Sequence, residues 1–278
     1  LDLLPGSTAK VAGARLQRLL PRRQRRTIGP WCFIDHARPS GSPIDVGEHP
    51  HIGLQTVTWL VEGEVLHRDS LGHHQVIRPG ELNWMTSARG IAHAEQGKSE
   101  RAHVVQMWVA LPESAREGEA YFDHYPELPR HEGEGWTATV LGGEAFGVRS
   151  PARTFSPLVG MELQFDAPAK AIVPLDPVFE HGVFAVGGRA EVEGTALEPD
   201  VLAYLGLGRD LVTIEARAGT RLMLIGGAPL GEPLVMWWNF VARTAEEIAT
   251  ARGHWMAKRF DPIPGYDGAW VPAPALEP

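Results

Sequence analysis

The chain has 278 residues, 44% of them hydrophobic, a formal charge of −8 and a single cysteine. A chain of this length buries roughly three-quarters of the surface its unfolded form exposes, so its core needs no disulfide, and Cys32 has no second cysteine for a disulfide or a C-x-x-C site. The acidic balance excludes broad, phosphate-driven nucleic-acid binding, and no run of about 18 apolar residues predicts a membrane span. The first thirty residues lack the apolar core of a secretory signal, so the expected setting is cytoplasmic.

From the N-terminus, Arg15, Arg18, Arg22, Arg23, Arg25 and Arg26 form a local cluster of positive charge, either a solvated edge or a docking patch for an acidic protein partner. Glycine and proline then punctuate short runs rich in Val, Ile, Thr, Phe and Trp, the pattern of many short strands. Gln55 to Val61 reads as a strand, and Glu62-Gly63-Glu64 turns it into Val65 to Asp69. Val76-Ile77, Leu82 to Thr86 and His103 to Leu111 continue the rhythm expected of antiparallel strands in a closed or two-sheet barrel. The polar stretch 112–135 lacks alternation and is expected to end this barrel. A second strand set follows at Trp136 to Leu141, Leu158 to Phe165, Ala171 to Pro174, Val183 to Val186, Ala190 to Val192, Val201 to Leu205, Leu211 to Glu215 and Leu222 to Ile225.

Near the C-terminus, Thr244 is placed to cap a helix with Glu247 at the capping-box position, and Ile248, Ala251 and Trp255 fall on one apolar face. A Pro-rich arm runs from Asp261 to Pro278 and is expected to fray at its tip. The expected organisation is all-β, with two tandem barrels at 1–129 and 130–278, the second carrying the helix and tail.

Two histidine-bearing pairs carry chemistry. In His49-Pro50-His51 an extended backbone projects both imidazoles from one face, and His93-Ala94-Glu95 repeats that spacing with an imidazole and a carboxylate. Three nitrogens and one oxygen suit Fe, Mn, Ni, Cu or Zn, whereas Ca or Mg would draw mainly oxygen ligands. Taken alone, such pairs are also compatible with ordinary hydrogen-bonding histidines. Gly47, Gly53 and Gly90 allow tight loops to deliver the pairs at strand ends.

Gly47, His49-x-His51 and Gly63 resemble the first cupin motif, and Pro79-Gly80 with Gly90-Ile91-Ala92-His93 resembles the second. More closely, Arg25 to His36, His49-Pro50-His51-Ile52-Gly53, Asp69-Ser70-Leu71-Gly72, Asn83 to Glu95 and Gly226 to Pro233 resemble the pirin family across nearly the whole chain. The resemblance implies two cupin (jelly-roll) barrels, only the N-terminal one metal-bearing, with ligands at His49, His51, His93 and Glu95. Where the general cupin motif has a ligand Glu, this chain has Gln55, so Glu95 is the carboxylate of the set. The second barrel has no H-x-H, only His181 in the corresponding stretch, and no metal is expected there.

Pirin-like proteins are associated with quercetin 2,3-dioxygenase activity, in which dioxygen cleaves a flavonol with release of carbon monoxide. The expected cofactor is one divalent transition metal, Fe(II) first, with Mn, Ni, Co, Cu or Zn compatible; the partners are a small-molecule substrate and dioxygen. Glu95 is then a candidate base as well as a ligand. Phe33, Gln55, Gln106 and Trp108 are candidate pocket residues by strand position. The resemblance also admits a metal-dependent, redox-responsive regulatory binding protein, a transcriptional or enzyme co-regulator, for which the arginine cluster would be the docking feature.

Overall fold

A computed structural model describes every residue except 12, 42, 99, 277 and 278, so the tip of the Pro-rich arm lies outside the described residues. The chain is built mainly from antiparallel strands, and among the described residues no helix is long and apolar enough to cross a membrane. Two compact units divide it. One comprises Leu1–Ala9, Gln17–His36 and Tyr125–Leu230; the other comprises Lys10–Leu16, Ala37–His124 and Gly231–Pro278. The sequence-based boundary at 129/130 follows the order of the chain, whereas contacts group the Gly231–Pro278 segment with 37–124.

The first unit sets a long sheet against a four-stranded one. The long sheet runs Asp2–Pro5, Val201–Gly206, Glu180–Gly187, Thr220–Gly227, Leu158–Phe165, Trp136–Ala145 and Arg130–Gly133; the short one runs Ala169–Pro174, Leu211–Ala216, Ala190–Val192 and Thr195–Leu197. Alternate residues of the strands in the short sheet face a shared core with Leu163, Phe165, Val173, Val212, Ile214 and Leu222, so burial alternates with exposure along Ala169–Pro174 and Leu211–Ala216. A buried carboxylate ties the N-terminal segment in: Glu180 accepts the Gly29 N–H at 2.8 Å, the Tyr204 hydroxyl at 2.8 Å and an Arg25 N–H at 3.1 Å. Arg18 is likewise paired, donating twice to Asp35 at 2.8 and 2.7 Å. His181 is buried here, and burial pushes its pKa down to about 4.

The second unit has a four-stranded sheet in the order Asp45–His51, Ile91–Gly97, Val65–Asp69, His74–Ile77. Its other sheet includes Tyr121–Tyr125, Leu82–Thr86, Leu54–Glu62 and His103–Ala110, paired in that order. The 112–135 stretch does not simply break the fold. It holds one helical turn, Glu113–Arg116, and the strands Tyr121–Tyr125 and Arg130–Gly133. Every residue of Tyr121–Tyr125 is half-buried, which is why no alternation marks it in the sequence.

The C-terminal helix, Ala245–Met256, starts where its cap predicts: Thr244 Oγ1 accepts the Glu247 N–H at 3.2 Å. The Glu247 carboxylate reaches one residue further back than a capping box, to the Arg243 N–H at 2.9 Å. Ile248, Ala251 and Trp255 are buried in one apolar cluster with Ala92 and Ala94 of the Ile91–Gly97 strand. Because strand neighbours alternate, that packing commits the even positions of Ile91–Gly97 to the helix and leaves His93 and Glu95 for the opposite face.

Candidate metal centre

Three strands of the four-stranded sheet each carry a pair of polar side chains two residues apart: His49/His51, His93/Glu95 and His67/Asp69. Ile91–Gly97 lies between the other two. Its register sets His93 opposite His49 on one side and Asp69 on the other, and Glu95 opposite Val46 and His67. All six side chains therefore share one face. An irregularity between His93 and Glu95 shifts the pairing with Asp45–His51 and carries Glu95 one step away from the histidine pair.

The ligand atoms of His49, His51 and His93 all lie within 4.8 Å of one another, and those of His67, His93 and Glu95 form a second such group sharing His93. His51 Nε2 and His93 Nε2 are 3.1 Å apart. Of the four expected ligands, the structure thus gathers the three histidines into one group and places Glu95 in the neighbouring one. His67 escapes the sequence reading, although its spacing to Asp69 matches that of the other two pairs.

The hydrogen bonds test whether these imidazoles suit a cation. His49 Nδ1–H donates to the Gly47 carbonyl at 2.7 Å, and His51 Nδ1–H donates to the Asn239 carbonyl at 3.0 Å. A carbonyl accepts only, so both rings carry their proton on Nδ1 and turn a bare Nε2 lone pair inward. Burial, reinforced by neighbouring imidazoles, holds the three histidines below their ordinary pKa of 6.5, His49 at about 4. Neutral imidazoles with converging lone pairs are what a divalent transition metal requires, so the residues fit the ion.

The same shifts fix a pH dependence for protein stripped of metal. Unfolded, these histidines take up protons near pH 6.5; folded, they resist until lower pH. Their folded-state pKa is depressed, so their contribution is intact above about pH 6.5 and is lost as the pH falls toward 4. Thermal midpoints of chelator-treated protein should be level above pH 7 and drop across that window. A flat profile to pH 4 would contradict the buried, neutral cluster.

Glu95 is in contact with the Leu54–Glu62 strand: Thr58 Oγ1 lies 3.3 Å from Glu95 Oε1 and 2.9 Å from Gln106 Oε1. Burial raises the Glu95 pKa above the ordinary carboxylate value, opposed by His67 and the Thr58 hydroxyl. Trp108 stands at the cluster, its ring 5.1 Å from that of His51 in an edge-on arrangement. Gln106 and Trp108 pair with Thr58 and Thr56 and so share their face. Gln55 falls on the alternate face of its strand and donates to Thr86 Oγ1 at 2.8 Å. Phe33 belongs to the other compact unit, under the Arg18 guanidinium at 4.6 Å. The structure brings Gln106 and Trp108 to the candidate site and does not bring Gln55 to their face.

Comparison with known proteins adds a second line of observation. The family profile described as Pirin matches residues 13–109, which include all four expected ligands, and the Pirin C-terminal cupin domain matches residues 160–261. A pirin-like protein of Caulobacter vibrioides is 38% identical over 99% of both chains, and human pirin is 34% identical over 90% of this chain and 89% of its own. The chain belongs to the pirin family. Within that family it is 45% identical, over 99% of its length and 91% of the relative's, to a Pseudomonas aeruginosa protein provisionally named a quercetin 2,3-dioxygenase. The crystal structure of a quercetin 2,3-dioxygenase from Acinetobacter baumannii superposes with a TM-score of 0.96 at 43% identity, covering 99% of this pirin chain and 95% of its own. The two cupin units expected from the sequence are therefore those of a pirin.

Proposed function

We propose that this pirin is a metal-dependent dioxygenase of the quercetin 2,3-dioxygenase type, acting on a flavonol or a similar small molecule. The observation that carries the reading is the buried trio His49, His51 and His93, with two Nδ1–H groups anchored on carbonyls and the Nε2 atoms converging. These three with Glu95 would hold one divalent ion, Fe(II) first. When bound, the ion supplies Lewis acidity and one-electron chemistry toward an oxygen-bearing substrate and dioxygen.

The remaining work falls to the chain. Glu95 is the carboxylate beside His93 and is placed to take the proton of a flavonol hydroxyl, whereas nearby Asp69 is committed to His67 and to the turn that follows it. The flat, largely buried ring of Trp108 offers a wall for a planar aromatic substrate, and Gln106 offers a polar contact on the same face. Support for the substrate class comes from the names of the relatives at 45% and 43% identity. The regulatory alternative leans on the arginine cluster, of which Arg18 and Arg25 are spent on Asp35 and Glu180 within their own unit.

Oxygen uptake and carbon monoxide release with quercetin, measured on protein loaded in turn with Fe(II), Mn, Ni, Co and Cu, test the proposal. Turnover should scale with metal occupancy for at least one ion. Absence of flavonol turnover with every ion, at full occupancy, would set aside the dioxygenase reading while leaving the metal centre standing.

A further inference from the structure

His67 and Asp69 close the Val65–Asp69 strand, both fully buried, and no step of the chemistry above uses them. The Asp69 carboxylate receives His67 Nε2, the N–H groups of Leu71 and His73, and His73 Nδ1, each at 3.0 Å. Four contacts from donor groups fix its position and make it an acceptor. His67 Nε2–H donates to that acceptor, which leaves Nδ1 as the ring nitrogen turned toward His93.

His67 Nδ1 lies 3.4 Å from His93 Nδ1. Two imidazole nitrogens hydrogen-bond only when one of them holds the proton. Were His93 Nε2 to ligate a metal beside His51 Nε2, 3.1 Å away, the His93 proton would sit on Nδ1, with His67 Nδ1 as its acceptor. Phe122 stacks on His67 with ring centroids 4.2 Å apart and planes 9° from parallel, so the His67 ring cannot easily swing away from this bond.

We propose that Asp69 and His67 are positioning residues of the metal centre: a carboxylate-to-imidazole relay that sets the tautomer and ring orientation of His93. For His49 and His51 the same task falls to single carbonyls, of Gly47 and Asn239. His93 is on the central strand, where the backbone amides are engaged on both sides, and its support comes from side chains instead. The inference rests on the reading of His49, His51 and His93 as ligands.

Co(II) titrated into chelator-stripped full-length protein tests it, with affinity read by chelator competition and geometry by the visible ligand-field spectrum. His67→Phe keeps a ring against Phe122 but removes the acceptor, and should weaken Co(II) binding by roughly 10–100-fold. His67→Gln restores a carbonyl acceptor and should recover most of the affinity with the parental spectrum. Asp69→Asn, whose effect does not depend on the Phe variant folding, should weaken binding by about tenfold or more. Parental affinity in both the Phe and Asn variants would overturn the relay. So would equal loss in the Phe and Gln variants, or an altered spectrum in the Gln variant, which would make His67 a ligand. Failure of the parent itself to bind Co(II) would instead remove the metal reading.

Discussion

His93→Ala is expected to abolish stoichiometric binding of a divalent transition metal, a larger loss than the roughly 10–100-fold that follows from removing an outer support. His93 belongs to both ligand groups, so no rearrangement of either spares it. It sits on the central strand, opposite His49, and its Nε2 is 3.1 Å from that of His51. What remains after its removal is the His49/His51 pair on one strand and Glu95, which shares a ligand group with the pair only through His93. Chelator competition on parent and variant reads the effect directly. Retention of parental affinity by His93→Ala would exclude the shared imidazole from the coordination sphere. The backbone of Ile91–Gly97 is held by two neighbouring strands and, through Ala92 and Ala94, by the C-terminal helix. The variant is therefore expected to fold.

Glu95→Gln is the second large effect. The amide keeps the shape of the side chain and a contact to Thr58, but it cannot take a proton or offer a charged oxygen. At matched metal occupancy, flavonol turnover should fall by about 10²–10⁴-fold, the usual contribution of a positioned general base. Occupancy has to be matched because the same substitution removes a proposed ligand and is expected to weaken binding as well. A kcat unchanged at full occupancy would move the proton acceptor elsewhere.

Much of this arrangement is legible in the chain before it folds, for identifiable reasons. The hairpin across Gly63 shows because β-branched residues flank a glycine whose backbone is left-handed, at φ +85°. His49/His51 and His93/Glu95 stand out because a spacing of two on extended backbone has a single structural meaning. Other parts are hidden. The strand Trp31–Ala37 is buried at every position, so it has no alternation to read. The anchor of His51 is a backbone carbonyl, Asn239, 188 residues away, and a carbonyl has no sequence signature. His67/Asp69 obeys the same spacing rule as the ligand pairs, yet its strand, Val65–Asp69, reads first as the returning arm of the Gly63 hairpin, which hides the pair among ordinary strand residues. The register irregularity that displaces Glu95 from the three-histidine group depends on strand pairing, which no local pattern encodes.

Elemental analysis of the purified protein, after stripping and reloading with Fe(II) under anaerobic conditions, tests the central claim most directly. The structure leads to about one ion per chain in the parent and none in a variant with His49, His51 and His93 all replaced by alanine. A parent that retains no ion, or a triple variant that retains as much as the parent, would contradict a metal centre built on these three histidines.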